Sequence, residues 1–254
     1  MAAQKVTALV TGASAGMGAE FCRQLADRCD VIIAVARRLE RLERLQQELA
    51  SRVEVHPIEA DLNTVEGLAR AMEALRQLGP VDFLVNNAGF STYGDFADQQ
   101  IQSQRDMVSL HIDATITLCR AAVPFMRERG GGHIINVSSI GTFLPSRGLS
   151  VYGATKAFLN FFSQSLQVEL ADTGIEVQAL CPGYTHSEFH AEIEQEGFDK
   201  SRIPADMWMD ADAVVAASLA SLGGGTVLVI PGEANVGLAR MGLQNQVDSL
   251  AALP

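Results

Sequence analysis

Seven short apolar runs punctuate the chain: KVTALV (5–10), VIIAVA (31–36), VEVHPI (53–58), DFLVNN (82–87), HIINVS (133–138), EVQALC (176–181) and TVLVI (226–230). Each is rich in Val, Ile and Leu and lacks a clean alternation of apolar and polar positions. That is the pattern of strands buried on both faces of a parallel sheet. Between them lie longer stretches with helical spacing, at about 16–28, 38–50, 64–77, 103–129, 150–172 and 210–221; Leu39, Leu42, Leu45 and Leu49 mark the second. Strands alternating with helices of this length make βαβ units with right-handed crossovers. The pattern predicts an α/β fold, a doubly wound parallel seven-stranded sheet with helices on both faces. No linker, repeat or low-complexity tract interrupts it, so 1–254 reads as one domain, with an insertion at about 184–209.

Composition narrows the function. The chain has 254 residues, 48% of them hydrophobic, enough for one large core. A formal net charge of −11 excludes a broad nucleic-acid footprint. The arginines Arg37, Arg38, Arg41 and Arg44 are interleaved with Glu40, Glu43 and Glu48, the look of a solvated helix face. Cys22, Cys29, Cys119 and Cys181 form no CxxC pair and no zinc spacing, so reduced thiols in a cytoplasmic protein are expected. The start, Met-Ala-Ala-Gln-Lys, leads straight into a strand with no leader pattern. No apolar run approaches a membrane span of about 18 residues.

The first strand ends in TGASAGMG (11–18), between a strand and a helix. Glycines there allow a tight turn and close backbone approach to a pyrophosphate, and the helix start offers unpaired N–H groups to the anion. A purely structural glycine turn is the alternative. The second strand ends at Ala36, where an acid would bind ribose hydroxyls, and Arg37 and Arg38 follow. A guanidinium suits a 2′-phosphate. The sequence therefore points to NADP(H), with NAD(H) possible, and to Arg37 as the discriminating residue; a plain surface arginine is the rival reading.

In SVYGATKAF (150–158), Tyr152 and Lys156 stand four residues apart on one helix face. They are either an ordinary amphipathic pair or a phenol held beside a cation. With TGASAGMG at 11–18, Asp61, NNAG at 86–89, NVSS at 136–139, this pair and PG at 182–183 in order, the chain resembles the short-chain dehydrogenase/reductase family in its single-domain form. The resemblance covers nearly the whole chain. It implies a Rossmann-type fold and an NAD(P)-dependent oxidoreductase acting on a CH–OH group. VARRLERL and YGATKAFLNFFSQSL look most like reductases of broad substrate range.

The resemblance also implies roles. Gly12, Ser14, Gly16, Met17 and Gly18 would wrap the pyrophosphate and adenosine ribose, and Asp61 and Leu62 would meet the adenine. Asn86, Ala88 and Gly89 would support the central strands and the cofactor. Pro182, Gly183 and Ser187 would face the nicotinamide, Ser187 standing where the family often has threonine. Tyr152 would be the general acid–base. Lys156 would hold the nicotinamide ribose and lower the phenol's pKa, and the Ser139 hydroxyl would bond the substrate carbonyl oxygen. Where the family commonly has an asparagine that holds a relay water, this chain has His111. Imidazole can donate and accept, so His111 either keeps that relay or is a satisfied core histidine.

His186 and His190 share a helix face, but no third ligand is indicated and no metal site is expected. The insertion carries Tyr184, Phe189, Ile193, Phe198, Met207 and Trp208. With Phe90, Phe143 and Leu144 it reads as an apolar pocket under a lid, or as a loop burying its own aromatics. In the tail, Val236, Met241, Val247 and Leu250 suggest an apolar helical stripe that packs on the domain, covers the pocket or meets another subunit. The expected function is hydride transfer between NADP(H) and a bulky or hydrophobic ketone or secondary alcohol, by a homodimer or homotetramer. The rivals are an NAD-dependent catabolic alcohol dehydrogenase and a non-catalytic NADP-binding sensor.

Overall fold

Every residue of β1 (Thr7–Thr11) and of β2 (Val31–Ala36) is buried, and the reason is visible in the packing on their two faces. Ala8, Val10, Ile32 and Ala34 meet Phe21, Leu25 and Leu42 on one side. Leu9, Ile33 and Val35 meet Leu75, Leu118 and Met126 on the other. Neighbouring strand residues point to opposite faces, and both faces are covered, so the positions between Thr7 and Thr11 and all of β2 are apolar. Each Val, Leu, Ile, Phe or Met side chain among them contributes ~1.5–3 kcal/mol on burial. The structure is a computed structural model that describes residues 5–194 and 196–251, the side chains of 190–192 excepted.

The chain continues from β1 through α1 (Gly16–Leu25), β2, α2 (Leu39–Leu49), β3 (Glu54–Glu59), α3 (Val65–Leu78) and β4 (Phe83–Asn86). Then come α4 (Ile101–Val108), α5 (Ala114–Arg129), β5 (Gly132–Val137), α6 (Ser150–Glu169) and β6 (Ile175–Leu180). The last part holds β7 (Tyr184–His186), α7 (Glu188–Glu194), β8 (Trp208–Asp210), α8 (Ala211–Ala220), β9 (Leu228–Val229) and α9 (Glu233–Ala251). The main sheet is parallel, in the order β3-β2-β1-β4-β5-β6-β9. The chain reverses direction across the sheet between β1 and β4, so a crevice opens at their carboxyl ends.

Three features differ from the sequence pattern. The predicted helix at 103–129 is two helices joined by a π-turn at Ser109–Asp113, which periodicity cannot separate from a continuous helix. The insertion contains a second, small parallel pair, β7 with β8, in the register Tyr184↔Trp208 and His186↔Asp210. The tail forms α9, but it packs through Asn235, Ala239 and Gly242, whereas Met241, Val247 and Leu250 are exposed. Small residues are needed on the packed face because the backbone of Phe143 lies against Gly242. No helix among the described residues is long and apolar enough to cross a membrane.

Candidate active site

A cleft of about 500 Å³ lies over the carboxyl ends of the strands, between the glycine-rich turn, the ends of β2 to β6 and the insertion. The turn is built by steric necessity. Gly12 and Gly16 have φ of +67° and +53°, and a Cβ on Gly12 would stand 2.7 Å from Asn87 Nδ2 and 3.0 Å from Ala88 Cα. A side chain on Gly18 would run into the Gly12 carbonyl. Thr11 fastens the turn to the end of β4: its hydroxyl accepts from the N–H groups of Asn87 (2.9 Å) and Ala88 (3.0 Å) and donates to Val85 O (3.3 Å).

The start of α1 fits a phosphate. Its N-cap position, Ala15, has no side-chain cap, and Ala15, Gly16 and Met17 line the cleft, so the first N–H groups of the helix are left for an anion. Gly12, Ser14, Gly16, Met17, Asp61, Leu62, Ala88, Gly89, Pro182, Gly183 and Ser187 all line this cleft. Gly18 and Asn86 stand behind the wall. Asn86 points into the protein, where its Nδ2 donates to Asn136 Oδ1 at 2.8 Å, and Asn136 in turn donates to Ser163 Oγ at 2.9 Å.

Arg37 is exposed at the rim of the cleft. Its neighbour Arg38, at the N-cap position of α2, turns back over the glycine-rich turn and donates from Nε (3.2 Å) and Nη2 (3.1 Å) to Ser14 Oγ. Its Nη1 donates to Glu188 at 2.8 Å, and Arg41 Nη1 donates to the other oxygen of the same carboxylate at 2.6 Å. Hydrogen bonds from Arg38 and Arg41 hold the Glu188 carboxyl below its usual range. The sequence places Arg38 only as Arg37's neighbour, and Glu188 lies too far along the chain for spacing to connect them.

Ser139, Tyr152 and Lys156 converge at the inner end of the cleft. Ser139 leaves β5 as the cap of a short 3-10 turn, its hydroxyl accepting from Gly141 N at 3.0 Å. Tyr152 and Lys156 sit in the first two turns of α6, with Lys156 Nζ 5.8 Å from the centre of the phenol ring. Lys156 is 4% exposed and donates to Val137 O at 2.8 Å. Burial brings its pKa down to about 7. Burial also pushes the Tyr152 phenol up to about 12, against the opposing effect of a hydrogen bond with Ser139. Removal from water is the largest influence on the phenol, and it opposes the lowering that the resemblance implies for Lys156.

His111 lies in the π-turn, 1% exposed, with its ring centre 6.0 Å from that of Tyr152. Its Nδ1 is 2.8 Å from Thr155 Oγ1, whose own proton goes to Tyr152 O at 2.9 Å. Nδ1 therefore carries the ring proton, and Nε2 accepts from Phe90 N at 3.3 Å. Burial first, and Lys156 second, keep the ring's pKa well below the usual imidazole value. Both nitrogens are engaged by protein groups, as in a satisfied core histidine. A Cβ on Gly89 would stand 2.8 Å from Nε2 and 3.5 Å from Lys156 Nζ, so the ring lies directly behind Gly89 of the cleft wall without itself lining the cleft.

The aromatics of the insertion divide between the two readings made from sequence. Tyr184 packs on Trp208 (5.4 Å between ring centres) and on Phe198 (6.3 Å), and His186 stacks on Trp208 at 5.0 Å. Phe189 instead packs on Tyr152 at 5.8 Å. Of the three apolar residues expected from other loops, Phe90 lines the cleft. Phe143 is buried with Cys181 and Ala239, and Leu144 lies against α9. They miss the pocket because α9 packs over them. The His190 side chain lies outside the described residues, and among those described no group of His, Cys, Asp and Glu could hold a metal ion.

A family model described as short chain dehydrogenase matches residues 6–197. An uncharacterized oxidoreductase of Staphylococcus epidermidis is 33% identical over 177 residues, 69% of this chain and 76% of that protein. A probable NADP-dependent dehydrogenase of Haemophilus influenzae is 34% identical over 197 residues, 74% and 77% of the two chains. Among solved structures, a short-chain dehydrogenase from Sphingobium yanoikuyae in complex with NADPH superposes with a TM-score of 0.84 at 32% identity, covering 98% and 96% of the two chains. A bulky-bulky ketone specific alcohol dehydrogenase from Comamonas testosteroni superposes with a TM-score of 0.81 at 31% identity, covering 98% and 95%.

Proposed function

The chain belongs to the short-chain dehydrogenase family, and on that footing we propose that it is an NADP(H)-preferring oxidoreductase interconverting a bulky or hydrophobic ketone and its secondary alcohol. The observation that carries the reading is the convergence of Ser139, Tyr152 and Lys156 at the inner end of one cleft, whose outer end offers an uncapped helix start and two arginines. When bound, the nicotinamide cofactor supplies or accepts the hydride. The protein's part is to bind, orient and move a proton. The Ser139 hydroxyl donates to the substrate oxygen. The phenol of Tyr152, neutral at working pH because burial raises its pKa to about 12, gives its Oη proton to that oxygen as the alcohol forms. Lys156 would hold the ribose hydroxyls of the bound cofactor, and His111 positions the first turns of α6 by donating from Nδ1 to Thr155 Oγ1 and the segment after β4 by accepting from Phe90 N.

The NADP(H) preference is supported by Arg37 and Arg38 at the end of β2, where an acid would otherwise bind ribose, and by the cofactor named for the Haemophilus and Sphingobium proteins. The bulky substrate is supported by Phe90, Phe189 and Phe198 on the cleft wall and by the description of the Comamonas enzyme. A homodimer or homotetramer fits the apolar residues left exposed on α6, Phe161 and Val168. Four buried, unpaired cysteines fit a reducing cytoplasm.

The test is a screen of ketones with NADPH and NADH, and of secondary alcohols with NADP+ and NAD+, read by nicotinamide absorbance. Turnover of aryl or branched ketones with NADPH preferred is expected. Preference for NAD+ with alcohols would favour the catabolic rival. Cofactor binding without any turnover would favour the sensor.

A further inference from the structure

Two adjacent residues at the start of α7 reach opposite ends of the cleft. Glu188 spans Arg38 and Arg41 at the outer end, and Phe189 packs on the ring of Tyr152 at the inner end. Arg38 is already committed on its other edge, where Nε and Nη2 hold Ser14 of the glycine-rich turn. A carboxylate thus lies where the side chains that favour an anion beside that turn converge.

These ion pairs face solvent: the side chains of Arg38, Arg41 and Glu188 are 41%, 34% and 54% exposed. Exposed pairs of this kind are weak, whereas a phosphate offers a guanidinium fork more charge and more acceptor oxygens than one carboxylate. A phosphate seated beside Ser14 would also meet Glu188 as a like charge, so the two anions compete for the same cations.

We propose that Glu188 is a specificity-determining residue, an internal anion on Arg38 and Arg41 that the 2′-phosphate of NADP(H) displaces, freeing the start of α7 from the cleft. An unphosphorylated ribose leaves the ion pairs in place. The two nicotinamide cofactors then leave the insertion, and Phe189 over Tyr152, in different positions. This rests on the NADP(H) reading above.

The chain supplies its own reporter, since Trp208 is its single tryptophan and lies in β8, stacked on His186 of the segment that leads into α7. The experiment measures the Kd of NADP+ and of NAD+ by calorimetry for the full chain, Glu188→Gln and Glu188→Ala, with Trp208 emission followed in each titration. NADP+ should bind both variants about two- to tenfold more tightly, the worth of exposed ion pairs, while NAD+ changes less than about twofold. In the wild type, Trp208 emission should respond differently to the two cofactors, and in the variants the difference should shrink. An equal change for both cofactors, or none, overturns the role of Glu188. Identical Trp208 responses in the wild type overturn the release of α7. A wild type that binds NAD+ but not NADP+ overturns the cofactor reading itself, which separates that failure from the other two.

Discussion

The Nδ1 of His111 lies 2.8 Å from the hydroxyl oxygen of Thr155, a residue one position before Lys156 and three after Tyr152. Because Thr155 spends its proton on Tyr152 O, the imidazole must donate, and its remaining lone pair faces Phe90 N. His111 thereby joins the π-turn, the segment after β4 and the first turn of α6. His111→Ala leaves Phe90 N and Thr155 Oγ1 without their partner, so a stability loss of ~1–3 kcal/mol is expected. His111→Asn, which can still donate and accept, should lose less. At matched folded concentration, kcat should fall several-fold for alanine and stay near wild type for asparagine. Equal kcat per folded molecule in all three proteins would make His111 a core residue with no part in positioning Tyr152.

Tyr152→Phe removes one hydroxyl and little volume. The fold and cofactor affinity should be retained, and kcat should fall ~10²–10⁴-fold, the usual worth of a positioned acid–base. Calorimetric cofactor binding alongside single-turnover rates checks both halves; a loss below about fivefold is incompatible with the role of Tyr152.

Burial brings the Lys156 ammonium down to about 7 in the folded protein, from 10.5 for a lysine in water. Between these pH values the unfolded chain binds the extra proton, so this group's contribution to stability rises with pH. Below the folded pKa both states are charged and the penalty of the buried cation is fully present. Relative to Lys156→Met, the wild type should therefore gain up to about 1.4 kcal/mol per pH unit above neutrality, and no such gain should appear below pH 6. His111, Tyr152 and Cys181 surround the ammonium and are common to both proteins, so they largely cancel in the difference. Denaturant unfolding at pH 6 and pH 9 measures it; a difference that does not depend on pH would mean that Lys156 remains charged.

Arg37→Asp and Arg38→Ala should each weaken NADP+ by about ten- to a hundredfold, the loss of a charge-assisted pair, with much less effect on NAD+. Competitive titration of the two cofactors reads the ratio. If only Arg38→Ala moves it, the arginine that reaches Ser14 is the discriminating one and Arg37 is a surface residue.

The strands were legible because burial on both faces leaves a continuous apolar signature, and the turn at Gly12 and Gly16 because no other residue tolerates its backbone. Helical spacing puts Tyr152 and Lys156 on one face, but only the ordered set of motifs, and the resemblance they carry, marked the pair as catalytic. Contacts that depend on how distant segments meet were not. Nothing local to Glu188 announces Arg38, 150 positions away. The direction of Asn86 depends on Asn136 and Ser163, which only strand order brings near. The extra residue in the π-turn shifts no hydrophobic position far enough to disturb the periodicity. In α9 close backbone approach selects Ala239 and Gly242 for the packed face, so packing on the domain is not the part of the exposed stripe of Met241, Val247 and Leu250.

The β7–β8 ladder shares no strand with the seven-stranded sheet. An opening of the insertion that carried Phe189 away from Tyr152 would therefore break no strand pairing of the main sheet. Access to the cleft and global unfolding would then be separate equilibria, each open to selection without the other. Native-state hydrogen exchange should see them as two cooperative units: amides of Thr185 and Met209 exchanging at low free energy, and those of Leu9 and Ile33 exchanging only when the whole domain unfolds.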